Sequence, residues 1–436
     1  MKILHTVKLY SPLCGGMYEV VRQLSEWLAA QGHSVTVASI TIPKEKKSEL
    51  TCSPVHVAEF DIKGTYARGL SGEIEKYRRF VQDGDFDIVT NFAAQQAMTD
   101  ALLPILPSIY AKKVFVPTGF NGLYLKEYRE YFKHMPEWMR QYDMNVIISN
   151  EQRDMQFAKL HGITNTTIIS NGASRKEFEQ HIPFSLREKL SIPKNNLLIL
   201  HVGSHTGFKG HSRAIEIFSQ ANTGPAALLI VGNPSLSGCS EQCARLAKAH
   251  NNSKVFKKEN KNIIIKQLTR VEIIAAYREA DLFLFPSNIE GGASIVLFEC
   301  MAAPLPFLTT DVGSAKEIIL QGGGGMLLPT EKDVPPEDRV RDKFKYGIKK
   351  VFELFDIGTF HSNRGFVRAE VAGSAIILEK LCRDKKQREK LGSAGHQAWI
   401  EKFTWEKIAE QYENLYDELL EQKRPSQNNK QKENNN

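Results

Sequence analysis

LLILHVGSHTGFKGH, residues 197–211, runs an apolar segment into a glycine-rich turn and then into the start of a helical pattern. A short apolar run followed by such a turn reads as a strand buried on both faces of a parallel sheet. The motif recurs downstream. AALLIVG (226–232), NIIIKQL (262–268), DLFLFPS (281–287) and LPFLTTD (305–311) are further strands, with helical patterns between them. The first half alternates in the same way, with a strand at 2–7, an amphipathic helix at 15–31 ending at Gly32, and a strand at 34–40. Strand-like runs follow at 86–90, 113–116 and 145–149. Two successive doubly wound, Rossmann-like α/β units account for this order most economically.

Length agrees with two units, because 436 residues is large for one core. The predicted organisation is a first domain over 1–175, a polar linker over 176–194 and a second domain over 195–402. An irregular, charged insertion occupies 331–368. An amphipathic helix over 403–421 carries Ile408, Tyr412, Leu415, Tyr416 and Leu419 on one face, with Thr404 as its N-cap. The tail, 422–436, reads as disordered. No apolar run approaches the length of a membrane span, and the start MKILHTVKLYSP lacks the apolar stretch of a signal peptide. Six scattered cysteines fit free thiols in a reducing cytoplasm. Cys239 and Cys243 lie one helical turn apart, but no second Cys/His pair follows nearby, so a zinc site is not expected. A net charge of +7, part of it in the tail, does not indicate a nucleic-acid surface.

Each unit has a glycine-rich turn where its first strand meets its first helix, SPLCGGMYE (11–19) and VGSHTGFKGH (202–211). Such turns bring backbone and a helix N-terminus close to an anion. Neither matches G-x-G-x-x-G or a Walker loop, so dehydrogenase and P-loop readings lose support. Lys209 beside helix-end dipoles is electrostatically poor until an anion arrives, and a diphosphate would make sense of it. In PSNIEGGASIVLFECMAAPLP (286–306), Glu290 belongs to a crevice loop with Gly291 and Gly292. Ser294 can cap a helix starting near Ile295, and Glu299 falls in that helix's second turn. Two carboxylates there suit a hydroxyl-rich ligand.

Taken together, Gly15 and Gly16 with QGHSVTV, SNG (170–172), VGSHTGFKGH, ADLFLFPS, the Glu290–Glu299 block, TDVGSAKEII and FTWEKIAEQYENLY resemble the retaining glycosyltransferases of group 1, family 4. The resemblance covers about residues 1–420, insertion excepted. It implies a GT-B fold: two Rossmann-like domains facing a cleft, with the C-terminal helix crossing back to the first. It implies a sugar transferred from a nucleotide-diphosphate donor to a glycan, glycolipid or other hydroxyl acceptor, with retained configuration, in cell-surface polysaccharide synthesis. Lys209 would neutralise the diphosphate, Glu290 would contact the donor sugar and Glu299 the ribose. Gly15, Gly16, Gly203, Gly291, Gly292, Ser294, Ile295 and Val296 would line the donor site. Lys209 and Glu290 are the expected catalytic residues, with no metal or other cofactor.

Three departures bear on activity. Eight residues separate Glu290 from Glu299 where the family has seven; Gly203-Ser204 replaces a frequent Gly-Arg, with His205 the only nearby titratable substitute; and Pro304 replaces a frequent glycine. A catalytically silent GT-B binding or scaffold subunit is therefore the alternative, and a nucleotide-sugar epimerase a more distant one. Asn91, Gln95 and Arg153 are acceptor-site candidates in the first domain. The aromatic and basic segment 117–143 fits either a buried helix broken at Pro136 or contact with a lipid-linked acceptor at a membrane surface. Asp83, Asp85 and Asp87 contain the D-x-D pattern of metal-using transferases but directly precede a strand, which favours a surface turn.

Overall fold

The computed structural model describes residues 1–10, 16–41, 54–234, 238–290, 292–331 and 366–422. Gly15, Gly291, most of the expected insertion and nearly all of the tail lie outside them.

The first unit is a parallel sheet of β1 (Lys2–Thr6), β2 (Ser34–Ile40), β3 (His56–Phe60), β6 (Ile88–Phe92), β7 (Lys112–Val116), β8 (Met144–Ile147) and β9 (Thr166–Ile168), in the order β3-β2-β1-β6-β7-β8-β9. An antiparallel hairpin, β4 (Ile62–Thr65) and β5 (Gly69–Gly72), stands beside it. The second is a parallel sheet of β10 (Leu197–Val202), β11 (Ala226–Val231), β12 (Lys261–Lys266), β13 (Leu282–Phe285), β14 (Phe307–Thr309) and β15 (Gly325–Leu327), ordered β12-β11-β10-β13-β14-β15. In each sheet the first strand is flanked on both sides by strands of opposite winding direction, β2 and β6 about β1, β11 and β13 about β10. Crevices for ligands open at the carboxyl ends of such switch-point strands.

Burial explains why the central strands were legible. All six residues of β11 are buried, as are all four of β13, so both are continuous apolar runs. The strands β3, β9 and β15 were not anticipated. They are short or half-exposed edge strands whose sequences carry no such run.

The SNG segment joins the halves. The Asn171 side chain donates to the Ala293 carbonyl of the second unit at 2.9 Å, and Ala173 pairs backbone to backbone with Phe403 and Trp405. The Trp399 indole N–H donates to the Ala173 carbonyl at 2.9 Å. From this junction the closing helix Trp405–Glu421 starts, its Thr404 side chain accepting from the Lys407 N–H. Its buried face, including the five residues foreseen, packs with Ile3, Val20, Val21 and Leu24 of the first unit. At roughly 2 kcal/mol per buried aliphatic or aromatic side chain, this seam fastens the C-terminus to the first domain.

The helix Arg129–Gln141 runs through Pro136 rather than breaking there, and it buries Tyr131, Phe132, Met135, Trp138 and Met139 in the first domain's core. Most of the rings that suggested a membrane-facing surface are therefore core residues, while Tyr124 is exposed. No helix among the described residues is long and apolar enough to cross a membrane.

Candidate active site: a cleft between the two sheets

A cleft of about 600 Å³ lies between the units. Its walls include the N-terminus of the helix Gly16–Ala30, the turn after β10, and the block from Glu290 to Glu299. Gly16, Gly203, Lys209, Glu290, Gly292, Ser294, Ile295, Val296 and Glu299 all line it, so every described residue of the expected donor site comes to one place.

The turn after β10 is held against the segment that follows β13. Gly210 has φ +72°, and a side chain there would bring its Cβ within 1.9 Å of the Pro286 carbonyl oxygen. Glycine is thus required on both backbone and contact grounds. Lys209, one residue earlier, extends back to Glu290, its Nζ 2.6 Å from Oε2. Glu290 accepts a second bond from the Ser287 hydroxyl, also at 2.6 Å. This carboxylate is 9 % exposed, and Gly313 of TDVGS sits directly beneath it, with no room for a side chain against Gly292. The extra residue in the Glu290–Glu299 interval thus leaves Glu290 in the cleft and bonded to Lys209.

Two helix N-termini lie at the cleft without side-chain caps. Gly210 precedes the helix His211–Gln220, and Ser294 precedes the helix Ile295–Ala302. Ser294 occupies the N-cap position as expected, yet its side chain makes no cap bond. Backbone N–H groups left unsatisfied in a first turn, with the helix dipole behind them, are an anion site. That helix ends at Ala302, so proline at 304 stops it as glycine would.

Sequence reasoning missed Arg270. It begins the helix Arg270–Glu279, behind a capping box of Thr269 and Glu272. Its guanidinium bonds Glu299 by Nη1 and Glu177 by Nε and Nη2, the last at 2.6 Å. Glu177 also accepts from Arg22 of the first unit at 2.6 Å, and Arg22 binds Glu19 and Glu26. Burial opposes the Arg270 charge, but Glu299, Glu177 and Glu19 hold it protonated well above its ordinary range. Arg270 lines the cleft, so a guanidinium is present although Ser204 stands where the family has arginine. Its signal was the T-x-x-E capping box, which marks a helix start and says nothing of where the first residue points. His205 is no substitute, being buried against His211 with ring centroids 4.1 Å apart.

The acceptor candidates fare differently. Asn91 is fully buried, donating to the Thr6 hydroxyl at 2.8 Å and accepting from the Tyr142 hydroxyl at 2.9 Å, so it is a core residue and not an acceptor ligand. Gln95 accepts from the Gly122 N–H at 3.0 Å and holds that loop in place, which likewise ties its side-chain carbonyl to structure. Arg153 differs. Its Nη1 is buried with no hydrogen-bond partner among the described residues, and burial pulls its pKa below the ordinary value. The D-x-D segment lies at the amino-terminal ends of β1 and β6, where Asp85 pairs with the Lys2 side chain and Asp87 accepts from the Lys2 N–H at 2.6 Å.

Comparison with known proteins agrees with this architecture. The family described as "Glycosyltransferase Family 4" matches residues 14–176, and "Glycosyl transferases group 1" matches 184–337. An uncharacterized glycosyltransferase of Methanocaldococcus jannaschii is 23% identical over 97% of this chain and 99% of its own. The lipopolysaccharide 1,2-N-acetylglucosaminetransferase of Salmonella typhimurium is 25% identical over 36% of this chain and 41% of its own. The crystal structure of HepE from Anabaena, in complex with UDP and glucose, superposes with a TM-score of 0.68 at 14% identity, over 96% of this chain and all of that one. Such low identity speaks for the fold alone, and the two matched families speak for the lineage. The chain belongs to the group 1, family 4 glycosyltransferases of GT-B fold.

Proposed function

We propose that this chain transfers a sugar, with retained anomeric configuration, from a nucleotide-diphosphate-sugar donor to a hydroxyl of a glycan, glycolipid or similar acceptor, in cell-surface polysaccharide synthesis. The observation that carries the reading is the Lys209–Glu290 ion pair set beside two uncapped helix N-termini in the cleft. A departing diphosphate needs preorganised positive potential. Lys209 and the N–H groups following Gly210 and Ser294 supply it from the second domain, which makes a catalytic metal unnecessary. When the diphosphate draws Lys209 away, Glu290 is released to accept hydrogen bonds from the donor sugar and to face positive charge developing at its anomeric carbon. Glu299, oriented by Arg270, accepts from the ribose hydroxyls.

Arg153 is the acceptor-side residue we retain, suited to an anionic or polyhydroxylated acceptor. The absence of disulfides among the described cysteines supports a reducing, cytoplasmic setting, and an acceptor anchored in lipid would be met at the membrane surface.

The test is a thermal-shift screen of the folded chain against UDP, GDP, ADP and their sugar conjugates, followed by donor hydrolysis and transfer assays. UDP and UDP-glucose come first because the similar HepE structure holds UDP and glucose. A ligand of the folded state raises its melting temperature by mass action. A shift with one nucleotide class, with turnover lost in Lys209→Ala, is expected. A folded chain that responds to none would be the silent subunit instead.

A further inference from the structure

Residues 205, 239 and 243 meet where the turn after β10 touches the start of the helix Cys239–Asn252. The His205 ring, Cys239 Sγ and Cys243 Sγ each offer a ligand atom, all within 4.8 Å of one another and all buried. Cys239 Sγ is 3.5 Å from His205 Nδ1. His211 stacks on His205, and its Nε2 donates to the Gly203 carbonyl at 2.9 Å. That bond makes Nδ1 the lone-pair nitrogen, and Nδ1 has no hydrogen-bond partner among the described residues. His211 is 1 % exposed. The expectation against zinc rested on the lack of a Cys/His pair after Cys243. The partners instead come from upstream, in the turn after β10.

We propose that His205, Cys239 and Cys243 form a zinc site. Two thiolates and an imidazole are a donor set that zinc takes. Ligand atoms around such an ion stand roughly 3.4–3.8 Å apart, so a triangle no wider than 4.8 Å closes with about 1 Å of side-chain adjustment. The ion would tie the turn carrying Lys209 to the helix Cys239–Asn252, stiffening one wall of the cleft. It rests on residues other than Lys209, Glu290 and Glu299 and stands whether or not the transferase reading holds.

The test uses the full chain produced in zinc-supplemented medium, dialysed and assayed by mass spectrometry for metal. About one zinc per chain is expected, released on titration with a mercurial thiol reagent and captured by a chromophoric chelator. Cobalt in its place should show the strong visible bands of tetrahedral coordination and a thiolate charge-transfer band. Cys243→Ser and His205→Gln should each lower bound zinc at least about tenfold. Cys300→Ser and Cys382→Ser should keep it. Where the ligand variants do not fold, the mercurial titration of the unaltered chain decides. The proposal is overturned by a folded chain holding under about a tenth of an equivalent, by Cys243→Ser retaining full zinc, or by a Cys239–Cys243 disulfide in freshly prepared, unoxidised protein.

Discussion

Replacing Lys209 by methionine and Glu290 by glutamine, singly and together, separates the structural from the functional part of this ion pair. At 2.6 Å and an effective dielectric constant near ~20, the gross attraction is about 6 kcal/mol. Desolvation of the nearly buried carboxylate offsets most of it, while the lysine side chain is 28 % exposed and keeps some water. A net coupling of about 1–2 kcal/mol remains, between the values for surface pairs and for fully buried ones. Lys209→Met therefore lowers stability by about 2 kcal/mol, because it strands a buried carboxylate. The double variant regains about half of that loss, as read from urea unfolding of all four proteins in one cycle. Binding separates the roles. For whichever nucleoside diphosphate the wild type binds, Lys209→Met loses a charge-assisted hydrogen bond, about 1.5–3 kcal/mol or 10- to 100-fold in Kd. Glu290→Gln frees the lysine, so the nucleoside diphosphate binds as tightly or more tightly, while sugar transfer falls about 100-fold or more. Calorimetric titration with the free nucleotide, beside a transfer assay, measures both. Equal nucleotide affinity in Lys209→Met and wild type would refute the assignment of the lysine to the diphosphate.

Glu299→Ala removes one partner of Arg270 and, on the proposed assignment, the ribose acceptor. Nucleoside diphosphate affinity should fall about tenfold, one lost hydrogen bond to a charged group, while pyrophosphate affinity holds; a parallel loss for both ligands would place Glu299 elsewhere. Arg153→Met should raise the acceptor KM with little change in donor affinity, and unchanged acceptor kinetics would remove it from that site. His5 is buried between Ser25 and Tyr416, and burial lowers its pKa to about 3. The unfolded chain therefore takes up a proton as pH falls below about 6.5 while the folded one does not, so acidification weakens the fold by up to about 1.4 kcal/mol per pH unit. Asp100 and Asp154, raised by burial to about 6, work in the opposite sense over that range. The measurable quantity is thus the difference between wild type and His5→Gln in urea melts at about pH 7, 6 and 5. It should shrink toward acid, and a constant difference would mean that His5 does not carry the effect.

Where backbone and burial agree locally, the chain announced its structure in one dimension. The fully apolar β11 and β13, the glycine turn at 202–211 and the Thr404-capped closing helix were legible because each depends on neighbours within a few residues. The same holds for the convergence of Lys209, Glu290 and Glu299, since two turns at the carboxyl edge of one parallel sheet must lie near each other. Edge strands such as β9 escaped notice because half-exposed backbone leaves no apolar run to read.

What the linear pattern could not contain is which distant side chains meet. Asn91 looked available until Thr6 and Tyr142 closed on it from two other elements. Arg270 and Glu177 lie 93 residues apart, and their pairing with Glu299 and Arg22 depends on how the units dock. Cys239 and Cys243 lacked a visible partner until the turn after β10 delivered His205. Periodicity and turn chemistry act along the chain, so they set the elements and the edge on which a site forms. Hydrogen bonds, ion pairs and metal ligation act through space over a few ångströms, and only the folded arrangement of those elements brings their partners together.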